Sequence, residues 1–185
     1  MIRSLLPVGS ALVLACLGTA TPARSQDAAP KHPRPAPEMS QLSPFVGTFA
    51  CKGEAFATPM SKQHEVERTI TGRMDLDGFW LFMRFEDQAT EVNPAPIRGN
   101  WQLTYDAKQR SFAAVWTDNL GRWFPQTSAG WSGDTIGFTG EFPLNNQTAA
   151  VRDSFTRKSE QEMTMTVELR VDGAWMRFLQ FDCRK

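Results

Sequence analysis

The chain is poor in the residues that build metal centres and basic surfaces. It has two histidines and three cysteines among 185 residues, and its lysines and arginines equal its aspartates and glutamates in number. So few ligands cannot make a zinc site of ordinary spacing, and the sequence predicts neither a metal nor another cofactor. The balanced charge lacks the basic excess of a nucleic-acid-binding protein.

Familiar catalytic motifs are missing as well. The sequence has no Gly-x-Ser-x-Gly turn and no phosphate-binding glycine loop, which disfavours triad hydrolysis and nucleotide chemistry. Beyond the first 25 residues, no apolar run approaches the roughly 20 residues that a membrane-spanning helix requires. We therefore expect no transmembrane segment in the mature chain.

Residues 1–25 have the layout of a cleavable export signal. Arg3 supplies a positive charge, residues 5–17 are mostly apolar, and a small-x-small cleavage pattern ends at Ser25. We expect cleavage there and a periplasmic or extracellular protein. Cys16 lies in a segment that loosely resembles a lipoprotein box, so a lipid-anchored protein is the alternative.

Removal of the signal leaves two cysteines, Cys51 and Cys183. An even number of cysteines in an exported chain favours a disulfide, and the alternative is a pair of buried free thiols. Because the two residues lie near opposite ends of the sequence that follows, a bridge between them would close a very long loop.

A proline-rich stretch follows the signal. Residues 26–44 contain five prolines, a density that disfavours helices and strand ladders. We predict an extended, solvated linker over 26–44 and a single domain over 45–185.

Within this domain, short β-rich segments alternate with turn residues at intervals of about ten residues, which is typical of a sandwich or a barrel. Asp77-Gly78 and Asp172-Gly173 predict tight type I′ hairpins. The connections are mostly of hairpin length and show no helical period, which excludes parallel crossovers. The predicted strands are Phe45–Phe56, Glu65–Thr71, Phe79–Glu86, Arg98–Tyr105, Ser111–Thr117, Trp123–Trp131, Thr135–Glu141, Ala149–Arg157, Glu162–Val171 and Ala174–Cys183.

Ten antiparallel strands in chain order would leave two exposed edges unless the sheet closed on itself. The predicted fold is therefore all-β, a closed or nearly closed up-and-down barrel. In such a barrel the first and last strands are neighbours, so a Cys51–Cys183 bridge would fasten the closing seam. A barrel of this size has room for a ligand unless large side chains fill it.

Alternating polarity assigns the side chains of each strand to two faces. The segment Phe79–Glu86 is apolar on both faces, which is typical of a strand that is buried on both sides. We expect its outer face to be covered by a loop, by the N-terminal segment or by a partner subunit, and the last option leaves a homodimer open.

Several short motifs resemble those of a known group of proteins. Phe45–Cys51 resembles the opening Gly-x-Trp strand of the calycin superfamily, with Phe49 in the place of the tryptophan. The lipocalin Thr-Asp-Tyr motif is absent. Similarity to secreted, lipocalin-like bacterial domains of unknown function extends from Leu42 to Cys183, and it rests on the segments Leu76–Leu81, Tyr105-Asp106, Asp118–Gly121, Gly130–Asp134 and Asp172–Trp175. The resemblance implies a calycin-like barrel and, by analogy, a small apolar ligand.

The preferred functional hypothesis is a barrel that binds a small hydrophobic or amphipathic molecule. Aromatic side chains make flat walls for such ligands, and an arginine embedded among them can anchor a carboxylate. The candidate ligand-binding residues are Trp80, Arg84, Trp101, Trp116, Trp123 and Arg177.

Two other functions stay open. The first is a cofactor-free acid–base enzyme on the same barrel, an isomerase, lyase or hydrolase, with His64, Glu65 and Asp118 as candidate catalytic residues. His64 could also ligate haem or be an ordinary exposed side chain. The second is an envelope protein-interaction module that uses the doubly apolar third strand as its contact surface.

Overall fold

The computed structural model describes residues 32–58, 62–144 and 147–185. The predicted export signal, its cleavage site and Cys16 lie outside these residues, as does the first part of the predicted linker. From Arg34 to Lys185 the chain forms one unit.

Strands account for most of the described residues, because alternating apolar and polar side chains give each segment one face to bury. Two 3-10 helices, Pro37–Phe45 and Leu76–Gly78, are also found in the described part of the chain. The eleven strands there are β1 (Gly47–Ala55), β2 (His64–Asp75), β3 (Trp80–Asp87), β4 (Arg98–Asp106), β5 (Ser111–Asp118), β6 (Trp123–Ser128), β7 (Trp131–Ser132), β8 (Thr135–Leu144), β9 (Gln147–Arg157), β10 (Glu162–Val171) and β11 (Ala174–Arg184).

Ten of these strands form a closed antiparallel barrel, and β7 lies outside the ring. Strands that follow one another in sequence pair from β1 to β6 and from β8 to β11. The ring closes where β6 pairs with β8, at Gln126–Gly140 and Thr127–Thr139, and where β1 pairs with β11. The predicted up-and-down barrel of about ten strands is confirmed.

A disulfide joins Cys51 of β1 to Cys183 of β11, two directly opposed residues of the ladder with Cα atoms 4.0 Å apart. Both cysteines are buried. The bridge predicted from compartment and cysteine count is confirmed, and it fastens the pairing of the first and last strands.

The N-terminal 3-10 helix differs from the prediction of an extended linker up to residue 44. Pro37–Phe45 is helical, with Pro37 at its start, where proline costs no hydrogen bond. Met39, Leu42 and Phe45 recur at the three-residue period of a 3-10 helix, so they share one face. All three are buried, and the Phe45 ring packs edge-on against Phe155, 5.0 Å between centroids. The helix therefore closes one end of the barrel.

The turns are partly as predicted. Asp172 and Gly173, with φ of 50° and 83°, form the predicted two-residue hairpin between β10 and β11. The hairpin at Asp77-Gly78 is longer than predicted, because its last paired residues are Asp75 and Trp80, and the loop between them contains the helix Leu76–Gly78. The predicted strand Trp123–Trp131 divides into β6 and β7 at Gly130, whose φ is 100°.

The faces of β3 follow the predicted alternation. Leu81, Met83 and Phe85 are buried inside the barrel, whereas Trp80 and Phe82 lie on the outer face and are half-buried. The Arg73 side chain of the neighbouring strand β2 lies over the Phe82 ring, 5.6 Å from its centroid. Part of the cover that this face requires is thus supplied by the chain itself.

Candidate functional site

A cavity of about 300 Å³ lies inside the barrel. Its lining includes Ala55 and His64, which face each other where β1 meets β2, and Val92 and Ile97 of the β3–β4 connection. These residues belong to the end of the barrel opposite the helix Pro37–Phe45. The volume equals that of roughly ten water molecules in the liquid and lies at the lower end of the range for small-molecule sites.

Aromatic rings form a large part of the cavity wall, and several of them pack edge to face. Phe85 contacts Trp116 with 5.3 Å between ring centroids, and Phe124 contacts Phe142 at 5.4 Å. Trp101 is 2% exposed, and its ring lies 4.6 Å from that of Phe138 deeper in the core. Rings fixed in this way give a preformed apolar surface for a ligand.

A glycine gives Trp116 its place in this wall. Gly99 of β4 is paired with Asp118, two residues beyond Trp116 on β5. A Cβ atom added at Gly99 would lie 2.3 Å from the Trp116 ring. The indole therefore lies across β4 only because position 99 has no side chain.

A buried ion pair lies at the cavity wall. Arg68 and Asp87 are opposed on β2 and β3, and their side chains are only 4% and 6% exposed. Two nitrogens of the Arg68 guanidinium donate to the two carboxylate oxygens of Asp87, over 2.5 and 3.1 Å. The flat side of the guanidinium lies 4.3 Å from the centroid of the Phe181 ring. Bidentate pairing satisfies both charges without water.

A second buried carboxyl belongs to Asp153 of β9, which lines the cavity and is 9% exposed. The amide nitrogen of Gln126 donates to one of its oxygens over 2.5 Å. Burial raises the pKa of Asp153 to about 6, although this hydrogen bond and the charge of Arg68 act in the opposite direction. Asp153 is therefore a carboxyl that changes its charge close to neutral pH.

Several polar atoms around Asp153 have no partner among the residues that the structure describes. The buried amide oxygen of Gln126 and the buried indole N–H of Trp101 accept and donate no hydrogen bond. The second oxygen of the Asp153 carboxyl is likewise unbonded within the described ranges. Buried polar groups without partners are rare in folded proteins and point to a bound water or ligand.

Asp118, a predicted catalytic residue, does not line the cavity, although its hydrogen-bond partners Trp116 and Arg122 do. Its side chain is fully buried and accepts hydrogen bonds from the Trp116 indole, from the Arg122 guanidinium and from the amides of Leu120 and Arg122. Burial raises the pKa of Asp118, but these hydrogen bonds outweigh that effect and hold the pKa below its ordinary value. A carboxylate whose pKa is lowered and whose oxygens already accept hydrogen bonds is a poor general base.

The structure places two of the six predicted ligand-binding residues at the cavity, Trp101 and Trp116. Trp80 and Arg84 share the outer face of β3, where Arg84 bonds to Asn100. Trp123 is 66% exposed at the start of β6.

Arg177 also lies outside the cavity, where it is exposed and donates to Gln180. The assignment of Trp80, Arg84, Trp123 and Arg177 to the cavity lining is therefore corrected. The physical reason is strand parity, because each of the four has its inward-facing neighbours one position away.

The alternation of faces along β2 also separates the two remaining catalytic candidates, His64 and Glu65. His64 lines the cavity, and its Nδ1 atom lies 2.9 Å from the carbonyl oxygen of Lys62. Glu65, the next residue, is exposed on the outer face of β2. The charged groups of the cavity that the prediction missed are Arg68, Asp87, Arg122 and Asp153. A signal for Asp153 was present, because it alternates with Val151 and Phe155 in an otherwise apolar strand face.

In the described part of the chain no group of three or more histidine, cysteine or acidic side chains is arranged to hold a metal ion. The same residues contain no helix that is long and apolar enough to cross a membrane.

The chain was compared with known proteins. No curated protein matches it. Among solved structures, Rv2717c from M. tuberculosis superimposes with a TM-score of 0.64 at 15% sequence identity, over 82% of this chain and 98% of that one. At this identity the similarity concerns the fold. The family model described as "Protein of unknown function (DUF1579)" matches residues 34–185, and the chain belongs to that family.

Proposed function

We propose that this protein is an exported, lipocalin-like barrel that binds one small hydrophobic or amphipathic molecule in its aromatic-lined cavity. The observation that carries the proposal is the cavity itself, about 300 Å³ in volume and lined mainly by residues of the barrel strands. A purely structural barrel of this width is expected to be filled by side chains.

The distribution of polarity supports the same conclusion. Most of the lining is apolar, and its polar side chains are few, among them the Arg68–Asp87 pair and Asp153, on which the charge of Arg68 acts. An apolar wall with a few fixed polar groups is the usual composition of a small-molecule site. The Cys51–Cys183 disulfide is compatible with export, because such bonds persist in oxidising compartments.

The test measures binding of prodan, a neutral, environment-sensitive naphthalene probe, by fluorescence. We expect saturable binding at one site. The variant Val167→Phe places a ring in the cavity, since Val167 of β10 lines it. If the lost space costs about 1.4 kcal/mol of binding free energy, within the range that overfilling commonly costs, binding weakens about tenfold.

The matched control is Thr166→Phe on the outer face of the same strand, which is half-buried and absent from the lining. It should bind prodan as the wild type does. Equal binding by the wild type and Val167→Phe would show that prodan binds elsewhere. If none of the three proteins binds prodan, the ligand cavity is contradicted.

A second function, acid–base catalysis in the same cavity, is favoured by one observation. Asp153 has a pKa of about 6, suited to proton transfer near neutral pH, and His64 lines the same cavity. An enzyme would convert its ligand. Native mass spectrometry of the purified protein identifies what is bound, and proton NMR then follows that compound with the wild type and with Asp153→Asn. Conversion by the wild type alone supports catalysis, and an unchanged spectrum supports binding only.

A further inference from the structure

The charges that line the cavity do not balance. The charged or titratable side chains among the lining residues are His64, Arg68, Asp87, Arg122 and Asp153. Arg68 is neutralised by Asp87, and Arg122 by the carboxylate of the nearby residue 118. Asp153 has no ionic partner within 4 Å among the described residues. When Asp153 is ionised, the cavity lining therefore carries one negative charge that no cation neutralises.

The free hydrogen-bonding positions beside Asp153 are acceptors. One carboxyl oxygen of Asp153 and the amide oxygen of Gln126 have no donor among the described residues, and the two side chains are joined by the bond from Gln126 to the other carboxyl oxygen. An ammonium group has three N–H donors and no acceptor, so it can donate to the free carboxyl oxygen of Asp153, a residue of the cavity lining. The Gln126 amide oxygen is closed off from the cavity and is not a ligand contact.

The neighbouring cation does not favour an anionic ligand instead. The Arg68 guanidinium already donates twice to Asp87, its third nitrogen lies 3.9 Å from the sulfur of Met165, and its flat side is covered by Phe181. A ligand carboxylate placed there would lie beside Asp153, where like charges repel.

The walls suit the same group. Trp101, Trp116 and Phe85 line the cavity, and aromatic rings attract ammonium ions when both are removed from water.

Resting on the proposed binding function, we propose that the cavity ligand is a small apolar amine whose ammonium group binds the Asp153 carboxylate. The apolar body of the amine occupies the aromatic part of the cavity. The uncompensated charge of Asp153 is then neutralised by the ligand.

The test compares three probes of one shape by calorimetry at pH 7.5: 2-phenylethylamine, 2-phenylethanol and 3-phenylpropionate. We expect the amine to bind roughly ten- to a hundredfold more tightly than the alcohol, the difference that a hydrogen bond to a charged group commonly makes. The carboxylate should bind most weakly. In Asp153→Asn the preference for the amine over the alcohol should disappear, and the control Asp134→Asn, an exposed carboxylate, should keep it.

A second arm requires no change at Asp153. Between pH 7.5 and 5 the affinity for the amine should fall several-fold as Asp153 takes up a proton, while the affinity for the alcohol stays constant. Because His64 also lines the cavity, the series is repeated with His64→Gln, which should show the same fall.

The outcomes separate the two proposals. If prodan binds in the cavity but the alcohol or the carboxylate binds as tightly as the amine, the amine proposal is wrong and the binding function stands. The amine proposal is equally wrong if Asp153→Asn keeps the preference for the amine. If prodan also fails to bind, both proposals fall together.

Discussion

Asp153→Asn should stabilise the protein at neutral pH and remove most of the pH dependence of its stability above pH 4. Asp153 is buried, and its pKa is about 6 in the fold against 3.8 for the unburied group. Because the folded pKa is the higher, Asp153 stabilises the fold fully below pH 3.8, and this contribution is lost as the pH rises through 6.

The magnitude follows from linkage. A difference of this size corresponds to about 3 kcal/mol between the two limits, of which roughly 1.4 kcal/mol is lost between pH 5 and pH 7.5. The other carboxyls with shifted pKa values, Asp118 and Asp182, have lowered ones, so their stabilising effect is lost only as the pH falls below the ordinary carboxyl range. They do not disturb the window from pH 5 to 7.5.

Urea denaturation at pH 4, 5, 6 and 7.5 measures the effect. The free energy of unfolding of Asp153→Asn should exceed that of the wild type by up to about 3 kcal/mol at pH 7.5, and by little at pH 4. Asp134→Asn, which removes an exposed ion pair with Arg157, should change stability by less than about 1 kcal/mol at every pH. Parallel pH profiles for the wild type and Asp153→Asn would refute the reasoning.

Three further predictions concern what holds the barrel together. Asp87→Asn leaves the Arg68 charge buried without its carboxylate and should lower the free energy of unfolding in urea by about 3–5 kcal/mol. Replacing both residues together by Met and Leu should cost less. A smaller effect of the single change would mean that water reaches Arg68. Replacing Cys51 and Cys183 by alanine removes a bridge across 132 residues and should cost about 5 kcal/mol if chain entropy governs, and dithiothreitol should lower the melting temperature of the wild type but not of this variant. Phe45→Ala should cost about 3–5 kcal/mol by calorimetry, since the ring is fully buried; a cost below about 1 kcal/mol would mean that the N-terminal helix is not part of the core.

Much of the fold is predictable from local alternation. The period of two and the turn residues locate the strands to within a few positions, and the need to pair exposed edges predicts closure. The helix Pro37–Phe45 escapes prediction because proline density favours extended chain, although Met39, Leu42 and Phe45 have the spacing of a 3-10 face. Its position depends on the open barrel end, which is a tertiary property.

The site is harder to predict than the fold. Alternation divides a strand into two faces but does not say which one points inward when both are apolar, and this is why the sequence predicts Trp80 in the cavity together with Trp101. The Arg68–Asp87 pair depends on the register between β2 and β3. Whether Asp153 has an ionic partner depends on which side chains of other strands the fold brings near it. Neither property is local in sequence.

The central claim is that a small molecule binds inside the barrel. The most direct measurement is prodan titration of the wild type, Val167→Phe and Thr166→Phe in parallel. We predict one saturable site, binding weakened roughly tenfold when residue 167 fills the cavity, and no change when residue 166 is enlarged on the outer face. Equal binding by all three proteins, or none by any, would contradict the claim.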